Sequence, residues 1–476
     1  MQNVANSKCI IIFTKATGCV SLVDYQRWKD IDHEYYGKTT VTCIAAENGH
    51  LECLQYAYEN FCPWGKGTTA EAARNGHLEC LKYANENDCP RDKCTTTRAA
   101  ENGHIDCLKY AHENFYVWGD GTIRESARNG HLNCLKYAYE NGCFPEEGTA
   151  AVAAENGHLK CLQYIYSNFG NFCWDNHPTL ATEMFDHLFL IRSNIDADSE
   201  VPLVPALAAS KGHLDCLMFA HKNGYMWDYR VTELAATYGQ LDCLKYAYEN
   251  GCDWVCTVTE EAAANGHLNC LKYAFENGCE FGDLTIEKAA ENGNLDCLKF
   301  AHENGHRWIA ESGLRFSEFL KENNLLDLHE RTFRLINEFD PFKSVTKKAA
   351  KNGHLNCLKF AHESGYKWDC KVTIAAAANG HLNCLKYARE NGCEWNDLVT
   401  EVAAKKGHLK CLKYAHENGC PWSDKLTKVA TEYGHLHCLK YAHENGCPWS
   451  TDTIKVASLF LNKDCYNYAV KNGCPD

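Results

Sequence analysis

One phrase, Asn-Gly-His-Leu-Asn-Cys-Leu-Lys-Tyr-Ala at residues 379–388, recurs along the chain, and its spacing limits the possible folds more than any other feature. Its glycine stands at Gly49, Gly76, Gly103, Gly130 and Gly157, then Gly212, Gly239, Gly266 and Gly293, then Gly353, Gly380, Gly407 and Gly434. Within each of these runs the step is 27 residues. A unit this short cannot bury an apolar face by itself. A fixed period of this size therefore predicts a stack in which each unit is stabilised by its neighbours.

The unit resolves into two helices and two corners. Segments such as 258–264 and 399–405 begin near a threonine and end in paired alanines, which let helices approach closely without loss of side-chain entropy. Threonine in that place reads as a cap on the helix start. Asn-Gly-His then makes a corner, because asparagine and glycine accept the positive φ that ends a helix. From Leu51, the apolar residues Leu54, Ala57 and Tyr58 follow the three-and-four spacing of a second helix, with Glu52, Gln55 and Glu59 off the stripe. Glu-Asn-Gly closes that helix, and a short loop such as Cys-Pro-Trp leads to the next unit. The fold class expected is all-α, an α-solenoid of stacked helix pairs.

Residues 45–54, Ala-Ala-Glu-Asn-Gly-His-Leu-Glu-Cys-Leu, resemble the core of an ankyrin repeat, as do their copies along the chain. With the ending Cys-Leu-Lys-Tyr-Ala-His-Glu-Asn-Gly-Cys-Pro-Trp, the unit is similar to the short, Cys/Trp-rich ankyrin-like repeats expanded in giant viruses and protists. An ordinary ankyrin unit has about 33 residues, so the shorter unit is expected to lack the projecting β-hairpin. The usual Thr-Pro-Leu-His opening is also absent; Thr40-Val41-Thr42-Cys43 stands in its place. The resemblance implies first helices lining an inner, concave surface and a non-enzymatic scaffold that binds a partner protein, a host protein if the source is a virus. The alternative it implies is the substrate-receptor arm of a ubiquitin ligase or another host-directed effector complex.

Two interruptions break the phase, from Gly157 to Gly212 and from Gly293 to Gly353. Each is long enough for one degenerate unit, and neither is rich in Gly, Ser or Pro as a linker would be. The expected organisation is an N-terminal cap (1–36), repeats (37–167), a degenerate repeat (168–205), repeats (206–304), a second degenerate repeat (305–342), repeats (343–450) and a C-terminal cap repeat (451–476). The stack is read as continuous through both interruptions.

The formal net charge of -14 argues against a general nucleic-acid or anionic-membrane binder. No stretch approaches the roughly 20 apolar residues of a membrane span. The apolar run at residues 9–13 lacks a convincing cleavage site, so the 30 cysteines read as thiols of a reducing compartment, the cytoplasm, or the host cytoplasm for a viral protein. A monomer is expected.

Histidine and cysteine occur together in units such as His408, Cys411, His416 and Cys420, ligand types that suit zinc. At about 100° per residue, Cys411 and His416 fall on different sides of their helix, and tyrosine replaces the loop cysteine at Tyr225 and Tyr366. These cysteines therefore read as small buried side chains, and no metal or cofactor site is expected. The corner histidine, replaced by Gln240 and Asn294, reads as a hydrogen-bonding tie between neighbouring turns. The loop tryptophan is expected to cover the seam between units with its N–H bonded to a carbonyl. Recognition is left to the first-helix positions that vary from unit to unit. These supply the candidate partner-binding residues Arg74, Arg98, Arg124, Arg128, Lys347, Lys348, Lys351 and Lys405, suited to an acidic partner.

Overall fold

The computed structural model describes residues 11–13, 20–22, 41–146, 148–169, 203–225, 228–304 and 341–475. Among them are 28 helices in consecutive pairs, an all-α solenoid. Ahead of the array, Ile11–Phe13 and Val20–Leu22 pair as antiparallel strands. The rest of the expected N-terminal cap lies outside the described residues. The chain divides into two compact parts, residues 1–231 with 249–252 and residues 232–248 with 253–476.

In the first part, the first helices Val41–Glu47, Thr68–Arg74, Thr95–Glu101, Thr122–Arg128 and Thr149–Glu155 pack in sequence, each against its own second helix. Their alanine pairs explain how they lie so close: Ala72, Ala73, Ala99 and Ala100 are fully buried. The second helices contribute Leu81 with Cys80 and Leu108 with Cys107 to the same continuous core. In the second part the pattern repeats from Thr257–Ala264 and Leu268–Glu276 to Thr453–Leu459 and Lys463–Lys471. No strand pair projects between the described units.

The corner is where one unit meets the next. Asn75 donates its side-chain amide to the Glu71 carbonyl at 3.0 Å, Gly76 turns with φ +74°, and the next helix starts at Leu78. His104 of the following unit then lies flat against Gly76. A methyl group added at Gly103 would sit 2.5 Å from Nδ1 and 2.7 Å from Cε1 of His131, and the same contact recurs from Gly353 to His381. The glycine is thus required twice, for its backbone angle and for the absence of a Cβ.

The threonines do something other than capping. The residue before the helix is glycine at Gly67 and Gly121, and where a side chain does cap the start it is an aspartate, Asp369 accepting the Lys371 N–H and Asp397 that of Leu398. Instead Thr96 Oγ1 donates to the Val117 carbonyl at 3.1 Å and accepts the Gly119 N–H at 2.9 Å, both in the loop of the next unit. Thr259 does the same with Glu280 and Gly282. A buried hydroxyl here satisfies loop groups that water cannot reach.

Across both interruptions the flanking units stack directly. Thr149–Glu155 packs on Leu203–Lys211, and Gly157 faces His213; Thr285–Asn292 packs on Pro341–Lys351, and Gly293 faces His354. These are the contacts that units one period apart make elsewhere. What else was expected of residues 168–205 and 305–342 lies outside the described residues. The final pair, Thr453–Leu459 and Lys463–Lys471, leaves Leu459, Phe460 and Leu461 exposed at its corner.

Gly142→Ala should cost about 1 kcal/mol, the usual penalty for an L side chain at positive φ, because a methyl group there meets nothing within 4 Å. Gly103→Ala should cost about 3 kcal/mol, since overpacking against His131 adds to the strain. Hydrogen exchange in Ile105–Glu113 and Leu132–Glu140 measures both; equal losses would contradict the corner contact.

Candidate functional site: the first-helix face

In the first part of the chain, the varying positions form an alternating array of charge. Glu71, Arg98 and Glu125 occupy one register of successive first helices, and Arg74, Glu101 and Arg128 the register three residues on. Within each helix the pair closes, Arg74 to Glu71 at 3.6 Å, Arg98 to Glu101 at 2.7 Å and Arg128 to Glu125 at 3.1 Å. The charge of Glu71 also acts on Arg98 of the next unit. The hydrogen bond to Glu101 holds the Arg98 guanidinium above its ordinary pKa against partial burial, helped by the charges of Glu101 and Glu71. Arg124 lies 3.6 Å from Glu125 and 3.4 Å from Glu146. A shallow pocket of about 280 Å³ opens on this face between Arg98, Glu101, Asp120 and Glu125, with Lys93, Cys94 and Thr97 at its wall.

In the second part the ion pairs run between units. Lys288 reaches both Glu260 and Glu261 of the preceding unit at 2.9 Å; burial lowers its pKa, but the two hydrogen bonds outweigh it and the net shift is upward. Lys348 is held by Glu291 at 2.7 Å and Glu287 at 3.5 Å, with the same balance of burial against carboxylates. Lys405 lies over the Tyr433 ring, 5.1 Å from its centroid. Lys347 and Lys351 are exposed and make no ion pair among the described residues. The structure therefore places four of the eight candidate residues, Arg74, Arg98, Arg124 and Arg128, in a mixed-charge face, and ties Lys348 to acids. Of the eight candidates, Lys347 and Lys351 are the two exposed cations without an ion pair or ring contact among the described residues. Across the three units from Thr68–Arg74 to Thr122–Arg128 the varying positions alternate in sign from one unit to the next.

The groups that could have carried chemistry are occupied in holding the stack. Corner side chains reach back to the first-helix carbonyls of the preceding unit: Asn294 Nδ2 donates to Ala263 and Ala264 at 2.9 and 2.7 Å, and Asn462 to Thr431 and Glu432 at 2.7 and 2.9 Å. The histidines take the same place. Partial burial lowers the pKa of His131, His381 and His435, outweighing their hydrogen bonds to the carbonyls of Glu101, Lys351 and Lys405; neighbouring corner histidines add to the lowering. Burial pushes the second-helix thiols the other way, Cys107 up to about 12 and Cys134 up to about 11, far from a reactive thiolate.

The tryptophans cover the seams. Trp64 donates to the Asn87 carbonyl at 3.0 Å and Trp395 to that of Asn418 at 2.9 Å. Trp118 stacks on His112 at 4.7 Å and meets the next unit's Tyr137 edge-on at 6.5 Å. Lysines of the second helices, Lys109 over Tyr137 among them, lie on the next unit's rings. Among the described residues no group of three His, Cys, Asp or Glu is arranged to hold a metal ion, and no helix is long and apolar enough to cross a membrane.

Sequence reasoning missed the loop tips. Phe61 and Phe115 stand where nine other units have a positive-φ glycine; both have left-handed backbones and are almost fully exposed. The signal was available in Asn60-Phe61 and Asn114-Phe115, which depart from Asn-Gly.

No family model matches the chain, and no curated protein does. Among solved structures, the human ASB11 ankyrin repeat domain is similar over 40% of this chain and 84% of that chain, with 17% sequence identity and a TM-score of 0.29.

The histidine shifts set a pH dependence. Their folded pKa lies below the ordinary 6.5, so below that pH the unfolded chain binds more protons and stability falls as pH drops. Above it the histidines are neutral in both states and the effect is absent. The triple variant His131→Gln, His381→Gln, His435→Gln, which copies the glutamine at Gln240, should show a shallower fall in urea midpoint on going from about pH 7.5 to 5.5. An unchanged slope would remove these residues as the cause.

Proposed function

We propose that this protein is a non-enzymatic scaffold that holds a partner protein along the face made by its first helices. What carries the reading is the contrast within each unit. Side chains such as Ala99, Ala100, Cys107 and Leu108 recur in the core and are at most 1% exposed, while positions five and two residues before the corner glycine change in charge from unit to unit, as the half-buried Glu71 and Arg74, Arg98 and Glu101, and Glu125 and Arg128 show. A repeated frame with a changing face suits binding by many modest contacts, whose total gives affinity and whose pattern gives specificity. The resemblance to ankyrin arrays agrees with it. The absence of a role in catalysis is supported by thiols raised far above neutrality and by histidines spent on carbonyls.

The partner fitted by this reading has two kinds of surface. Against the first part it is of mixed charge, matching Arg74, Arg98, Arg124 and Arg128 with their glutamates. Against the last block it is acidic, meeting Lys347, Lys351 and Lys405. Each exposed pair contributes little by itself, about 1 kcal/mol or less, so the effect of charge reversal must be read on several positions together. The variant Lys347→Glu, Lys351→Glu, Lys405→Glu should lose its co-purifying partner from the native host while keeping its helical circular dichroism. Full partner recovery would refute the assignment of these lysines.

A further inference from the structure

The loop tips of the first part carry a second, unassigned surface. In most units the second helix ends at Glu-Asn and a glycine turns the chain with positive φ, as at Gly142 (+85°) and Gly251 (+88°). Phe61 and Phe115 take that place with φ +60° and +65°. The left-handed region is one that a bulky L side chain enters at a cost. Nothing in the fold repays it: Phe61 is 94% exposed and Phe115 83%. Glycine at the same corner serves nine other units, so the turn itself does not demand phenylalanine. Two residues further along, Val117 in the loop of Phe115 is 66% exposed and Phe144 in the next unit's loop 79%. Strain and exposed apolar area on the same side chains point to a use outside the chain.

The surroundings say what kind of occupant fits. The last residue of each second helix here is an exposed acid, Glu59, Glu86, Glu113 and Glu140, and Asp88 replaces the turn glycine between the two phenylalanines. Of the two cations of the intervening loop, Arg91 is directed to the Tyr116 ring at 5.5 Å and Lys93 lines the pocket on the first-helix face. The edge is thus a row of aromatic anchors set in negative charge, which disfavours an anionic membrane and favours a cationic partner. At roughly 9 Å per stacked unit, Phe61 and Phe115 stand about 18 Å apart. That distance is spanned by about 12 residues of α-helix.

We propose that this edge docks a cationic amphipathic helix of a partner protein, its apolar stripe on Phe61, Phe115 and Phe144 and its Lys or Arg side chains against Glu59, Glu86, Asp88, Glu113 and Glu140. The site is separate from the first-helix face and does not rest on the scaffold reading of that face.

The test uses the full chain and a fluorescent peptide of about 18 residues, leucine on one helical face and lysine elsewhere, followed by anisotropy. The variant Phe61→Gly, Phe115→Gly, Phe144→Ser should bind it at least about tenfold more weakly. Its thermal midpoint should stay the same or rise, because glycine relieves the backbone, so lost binding is not lost folding. A matched peptide with glutamate for lysine should not bind. The proposal is overturned if the variant binds as tightly as the parent chain, or if the glutamate peptide binds equally well. It is also overturned if the phenylalanines instead drive pelleting with phosphatidylcholine vesicles, or a dimer of the chain that the variant abolishes; lipid or a second copy would then be the occupant.

Discussion

The fold depends on one contact, a glycine of positive φ pressed by the histidine or asparagine of the unit that follows. Gly103 has no room for a Cβ beneath His131, and His131 in turn bonds the carbonyl of Glu101. A helix end leaves carbonyls without partners, and here the next unit supplies the donor. Each first helix is therefore finished only when its neighbour is in place. Long arrays follow from this directly, as does the close spacing that the paired alanines require.

The repeated chemistry-bearing residues take their meaning from the same constraint. Cysteine recurs as a small side chain in the core, and burial moves its thiol away from reactivity. Tryptophan closes the seam by donating to a carbonyl about one unit on and stacking on residues of both units, as Trp118 does between His112 and Tyr137. Threonine ties the loop of the following unit to the first helix. With these groups committed to the frame, the first-helix face and the loop tips remain as places where units differ.

The helix pairs, the corners, the seam role of tryptophan and the tie made by histidine were legible in the sequence, because the period repeats the local signals that specify them. What was not legible depends on atoms one period away. Thr96 looks like a helix cap until the loop at Val117 is laid against it. Lys288 looks like a free charge until Glu260 and Glu261 of the preceding unit reach it. The interruptions have the length of an extra unit, yet residue count alone cannot tell whether added chain forms a layer, and the direct meeting of Gly157 with His213 shows that the flanking units adjoin. Phe61 and Phe115 were visible as departures from Asn-Gly, but only their exposure distinguishes a displayed side chain from a buried one.

If each helix pair is stabilised by adjoining pairs, one whole period can be removed without harm to the rest. Deleting residues 103–129 takes out 27 residues and joins Asn102 to Gly130, restoring the corner. Circular dichroism of this shortened chain should show the same helicity per residue as the full chain, with a cooperative urea transition. Loss of helical signal on removing this one period would contradict the account.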